Sequence, residues 1–223
     1  MKKILVFAPH PDDEILGCGG MMFENIKAGN EVYVCIVTKG YPPIFNTERT
    51  ELNREDARRC HQFMGIKKTF FLDFPSTELE RVGRPELNGR IFDVVKEVLP
   101  DEVYIPHYGD LQKDHQIVAE ACMVALRPKY HLHHRCIYGY ETMSETYWGA
   151  PNIQNEFLPN VFVDITNSLK DKVKALSFYS LQVNDFPDAR SLEAIESLAR
   201  YRGAQMQMCA AEAFMLIREL KNI

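Results

Sequence analysis

His10 and Asp13 stand three residues apart in the stretch Ala8-Pro9-His10-Pro11-Asp12-Asp13-Glu14. Across a tight turn, one imidazole nitrogen and one carboxylate oxygen can therefore face the same point. They are two donors of the kind zinc accepts, at about 2.0–2.2 Å. Asp12 then points elsewhere and is free to take a proton from a metal-activated water. Pro9 and Pro11 fix φ on both sides of His10 and stiffen the turn. The plainer alternative is an acidic N-cap, because carboxylates favour a helix N-terminus. His10 adds nothing to a cap, and that favours the metal reading.

The elements around this stretch suit such a site. Ile4-Leu5-Val6-Phe7 reads as a buried strand, and the run from Ile15 as a helix ending at Gly29-Asn30. An imidazole and three carboxylates thus lie at the C-terminal end of a strand, where open α/β sheets bind ligands. Strand signals cover 3–8, 31–38, 69–73, 102–106, 136–140 and 161–165. Helix signals cover 15–28, 50–64, 88–99, 115–126, 169–180 and 192–220. This alternation predicts an α/β fold: a Rossmann-like, doubly wound, mostly parallel sheet with helices on both faces. No repeat, low-complexity segment or linker interrupts 1–223, so one domain is expected.

Composition narrows the class. The chain has 223 residues, 46% hydrophobic and 26% charged, enough for one α/β core. A formal net charge of -5 argues against nucleic acid, whose phosphates demand a basic face. No apolar run approaches the ~20 residues of a membrane span. The run after Met1-Lys2-Lys3 stops at Pro9-His10, short of the roughly 7–15 residues of a signal peptide, so a cytoplasmic location is expected. The six cysteines form no C-x-x-C pair and read as small core residues in a reducing compartment. A homo-oligomer stays open.

Ala8-Pro9-His10-Pro11-Asp12-Asp13-Glu14 after a first strand resembles the signature of the PIG-L/LmbE-like N-deacetylases. The resemblance implies a zinc-dependent hydrolase that removes acetyl groups from N-acetylated amino sugars or their conjugates. Asp114-His115 matches the family's later metal motif, which makes His115 the third ligand. Such a His/Asp/His site leaves an open position for water and could also accept Fe²⁺ or Co²⁺. Asp110 and Asp114 would orient the imidazoles. Many members carry a His three residues before the last ligand, where this chain has Gln112. An amide cannot protonate a leaving amine, although its NH2 can donate to a developing oxyanion. Either Asp12 moves the proton both ways or another group helps, His107 being the nearest imidazole in sequence. Arg54-Glu55-Asp56-Ala57 resembles the family's R-E-x-A helix, whose Arg faces the substrate. Tyr201-Arg202-Gly203 and Ala210-Ala211-Glu212-Ala213-Phe214 resemble family endings. The cluster His131, His133 and His134 reads as a solvated loop. Tyr147 and Trp148 sit in a long loop that is either a lid over a sugar ring or a packed surface loop.

Other classes compete with this reading. Gly17, Gly19 and Gly20 follow a strand, as in dinucleotide-binding proteins. They fall inside the helix pattern, however, and the turn carries three acids that would repel a pyrophosphate. A non-catalytic metal- or sugar-binding protein would not need Asp12. Hydrolysis of a different acylamide, such as a thiol-cofactor precursor, is the nearest alternative within the enzyme class.

Overall fold

Strand β1 (Lys3–Ala8) shows how the sheet is built, because its side chains alternate between two cores. Ile4, Val6 and Ala8 join one apolar cluster, while Leu5 and Phe7 join the other. Strand β2 (Glu31–Lys39) does the same, with Val32, Val34 and Ile36 on one side and Cys35 and Val37 on the other. Strands buried on both faces read as continuous apolar runs, as these do. The computed structural model describes residues 1–128, 136–150 and 152–221.

Among the described residues, seven strands form one sheet in the order β3-β2-β1-β4-β5-β7-β6. The other strands are β3 (Lys68–Pro75), β4 (Glu102–Pro106), β5 (Cys136–Tyr140), β6 (Val161–Asp164) and β7 (Ala211–Glu219). Strands β3, β2, β1, β4 and β5 are mutually parallel; β7 runs antiparallel to both neighbours. The first cluster includes residues of α1 (Asp13–Lys27), α2 (Thr47–Met64), α6 (Leu169–Leu176) and α7 (Leu192–Ala204). The second lies under α3 (Arg84–Val98) and α4 (Lys113–Ala125). A single turn, α5 (Met143–Thr146), follows β5. The expected α/β, Rossmann-like sheet with helices on both faces is therefore the observed fold.

One expectation fails. The stretch 192–220 is not one helix: α7 stops at Ala204, and Ala211–Glu219 is strand β7. Ala, Glu, Met and Leu favour helix when counted locally. Tertiary pairing overrides that preference, because β7 bonds on one edge to β5 and on the other to β6. Gly203 makes the reversal feasible: a Cβ there would lie 2.6 Å from the Met208 carbonyl oxygen. Among the described residues, no helix is long and apolar enough to cross a membrane.

The chain order places the topological switch between β1 and β4. Successive crossovers carry β2 and β3 to one side of β1, and the next returns to β4 on the other. The loops leaving β1 and β4 thus open a crevice at the carboxyl ends of the strands.

Candidate metal centre and active-site cleft

Both predicted metal motifs end at this crevice. The loop after β1 is anchored by Thr38, whose N–H and hydroxyl both donate to the Pro9 carbonyl at 3.0 and 2.8 Å. His10 Nδ1 then lies 3.2 Å from Asp13 Oδ2, and His115 Nε2 lies 3.3 Å from the same oxygen. The three side chains offer ligand atoms within 4.8 Å of one another. Their outward-facing nitrogens are held by carboxylates: His10 Nε2 is 3.0 Å from Asp114 Oδ2, and His115 Nδ1 is 2.8 Å from Asp110 Oδ2. Those carboxylates are themselves fixed, Asp114 by the Thr77 N–H at 2.6 Å and Asp110 by the Thr146 hydroxyl at 2.7 Å. Metal-binding imidazoles are ordinarily oriented through their second nitrogen in this way.

The donor set suits a divalent cation. Among the described residues, His115 Nε2 and Asp13 Oδ1 are buried without a hydrogen-bond partner, and the 3.3 Å contact of His115 with Asp13 lacks hydrogen-bond alignment. Buried polar atoms are rarely left so, and a cation among them would satisfy both. The electrostatics agree. Burial pulls the His115 imidazole down, but Asp13 and Asp110 outweigh it and raise its pKa to about 10. Burial likewise pushes the Asp13 carboxyl up, and the two imidazoles, His115 first, drive it well below the usual carboxylate range. The acids around the pair hold positive charge in place.

Asp12 differs from its neighbour. It occupies the N-cap position of α1, with Asp13 and Glu14 in the first turn, but its side chain makes no capping bond. Its backbone is left-handed, with φ 114°. Both carboxylate oxygens are buried and, among the described residues, lack a hydrogen-bond partner; Oδ2 forms an ion pair with Arg190 Nη1 at 3.5 Å. Burial pushes its pKa up to about 7, against the lowering pull of Arg190 and with help from Asp13 and Glu14.

Asp12 lines a cleft of about 230 Å³, together with His10, Arg54, Gln112 and Arg190. Gln112 is the N-cap of α4, and its buried Oε1 has no partner. Arg54 pairs with Asp73 and stacks over Phe71, 4.2 Å from the ring centre. Arg190 escaped the reading of the sequence. It also donates to Ser144 at 3.1 Å and Gln182 at 3.0 Å, so it is held over the cleft from two sides.

Other candidates sit elsewhere. His107 is not a cleft residue: its Nε2 bonds the Asn155 carbonyl at 2.9 Å and its ring packs on Phe157. Tyr147 is tied to Glu141 and, at 2.6 Å, to Arg202, and it lines a separate cavity of about 310 Å³ beside Asp110. Trp148 is 63% exposed and lines neither cavity. The glycines within α1 serve packing, since a Cβ on Gly17 would strike the Tyr140 ring at 2.2 Å and one on Gly20 would strike Ile165 at 2.6 Å. Four cysteines are buried, whereas Cys136 is half-buried and Cys209 exposed. His131, His133 and His134 lie outside the described residues.

Fold and site together define an α/β protein with a His/Asp/His candidate metal centre at its switch point. The family model for GlcNAc-PI de-N-acetylase, PIG-L, matches residues 5–126, and the chain belongs to that family. It is 28% identical over 200 residues to diacetylchitobiose deacetylase of Thermococcus kodakarensis, covering 84% of this chain and 72% of that protein. It is also 28% identical over 171 residues to the uncharacterized deacetylase YaiS of Escherichia coli (strain K12), covering 74% of this chain and 82% of that one. A third similarity is of fold alone: 4-carboxy-2-hydroxymuconate hydratase GalB of Pseudomonas putida KT2440 superposes with a TM-score of 0.78 at 19% identity, covering 100% of both chains.

Proposed function

We propose that the protein is a zinc-dependent N-deacetylase acting on an N-acetylated amino sugar or its conjugate, with His10, Asp13 and His115 holding the metal. The observation that carries this reading is the pairing of a candidate cation site with a buried Asp12 carboxylate beside it that lacks a hydrogen-bond partner among the described residues. Family membership and the deacetylase relatives support acetyl removal as the reaction. A bound zinc ion, or Fe²⁺ in its place, would supply Lewis acidity to the acetyl carbonyl and acidify the attacking water. Asp12 takes the proton from that water and delivers it to the nitrogen as the C–N bond breaks. Its raised pKa suits both halves of that transfer, because the best general base titrates near the working pH. Gln112 donates its amide N–H2 to the developing oxyanion, and Arg54, which also lines the cleft, contacts the sugar. Elemental analysis of the purified protein, joined to an acetate-release screen over N-acetylated mono- and disaccharides, tests the reading. About one metal per chain with acetate release supports it. Full metal occupancy with no acetate from any acylated amine contradicts it.

A further inference from the structure

Asp12 and Asp13 carry the same side chain on adjacent residues, yet the proposed reaction needs one as base and the other as ligand. The backbone separates them. Asp12 has φ 114° and ψ -29°, a conformation that residues with a Cβ rarely adopt, whereas Asp13 opens α1. Two hydrogen bonds from the helix hold the carbonyl side of Asp12, with Ile15 N and Leu16 N both donating to its oxygen at 2.9 Å. The amide side is held by Glu14, whose Oε2 accepts the Asp12 N–H at 3.2 Å.

Glu14 is itself held by two side chains, one of them braced by a third. Its Oε1 accepts from His61 Nε2 at 3.1 Å and from the Tyr179 hydroxyl. His61 Nδ1 in turn meets the Thr69 hydroxyl at 2.8 Å, so the imidazole can donate to Glu14 and accept from Thr69. These partners come from α2, from β3 and from the segment after α6, none of which carries a proposed metal ligand. Glu14 is fully buried, all its bonds are satisfied, and it does not line the cleft. An isolated buried carboxylate is a poor stabiliser compared with an apolar residue of the same volume. Its orientation here lets it accept donors on both oxygens, which a glutamine could not do: the amide NH2 would face either the Asp12 N–H, which cannot accept, or the His61–Tyr179 pair, which would have to change from donating to accepting.

Building on the proposed role of Asp12, we infer that Glu14 is a positioning residue that pins Asp12 in its left-handed conformation and so keeps its carboxylate off the metal and aimed into the cleft. Glu14→Gln in the full chain tests this. Bound metal and KM should stay near wild type while kcat falls on the order of 10²-fold, the scale of a small misplacement of a reacting group. In the Asp12→Asn background the same change should produce no further fall, because Glu14 acts only through Asp12. Amide exchange in the metal-free protein supplies a readout independent of activity: the Asp12 N–H should exchange faster in Glu14→Gln, and those of Ile15 and Leu16 should not change. Tyr179→Phe removes one donor to Glu14 and should show the same non-additivity with Asp12→Asn. Wild-type kcat in Glu14→Gln, or equal losses in both backgrounds, overturns the inference, and Tyr179→Phe decides it if Glu14→Gln does not fold. An active Asp12→Asn would instead overturn the role of Asp12 itself.

Discussion

Helix α1 touches two buried charged clusters that are built on opposite terms. At its N-terminus lie His10, Asp12, Asp13 and His115, with both Asp12 oxygens, Asp13 Oδ1 and His115 Nε2 left without hydrogen-bond partners. Near its middle lie Lys172 and Glu212, where each charged atom has a hydrogen-bond partner. Lys172 Nζ donates to Glu212 at 2.6 Å and to the Leu16 carbonyl at 2.8 Å. Glu212 accepts the N–H groups of Gly20 at 2.8 Å and Met21 at 2.7 Å. Burying charge is costly in both places. A pair partnered on every charged atom has little capacity left for a ligand and ties β7 and α6 to α1. An under-satisfied cluster retains that capacity, and it sits where the sheet opens.

The comparison breaks first at its functional end. His115→Ala should remove most bound metal and with it the acetate-release activity; elemental analysis showing full occupancy would reject His115 as a ligand. At the structural end, Lys172→Met leaves Glu212 buried and unpaired and should destabilise the fold by about 3–5 kcal/mol, read by chemical denaturation. Metal content in the folded fraction should not change, and a protein of unaltered stability would erase the distinction between the clusters. Gln112→Ala should lower kcat on the order of 10²-fold if the amide donates to the oxyanion, while Gln112→His should keep or raise activity. No change in either variant would remove this position from the chemistry. The smallest effect concerns pH. Arg190 favours the ionised form of Asp12, the form in which the proposed base can take a proton. Arg190→Gln should therefore move the acidic limb of the kcat/KM profile to higher pH. A limb that stays put or moves down would separate Arg190 from the base.

Much of this was legible because the decisive signals are local. Strands β1, β4 and β5 have the bounds their apolar runs suggest, since a strand buried on both faces leaves an unbroken signature. His10, Asp12 and Asp13 fall within four residues, so one turn suffices to place them. His115 needed the family resemblance, because its approach to Asp13 depends on the order of β1 and β4 in the sheet. Arg190 had no such signal: it lies in the irregular segment between α6 and α7 and reaches Asp12 only through long-range packing. Strand β7 has no local signal for the related reason that its residues prefer helix until β5 and β6 offer their edges. Glu212 acquires its role through the same pairing.

The most direct test of the account compares Asp12→Asn with Asp13→Asn, measuring bound metal and kcat on the same preparations. Both changes keep size and remove one negative charge. Asp12→Asn should retain its metal while kcat falls roughly 10²–10⁴-fold, the range for a lost general base. Asp13→Asn should lose metal, and added zinc should restore part of its activity. An active Asp12→Asn, or one that loses its metal as Asp13→Asn does, would contradict the division of base from ligand.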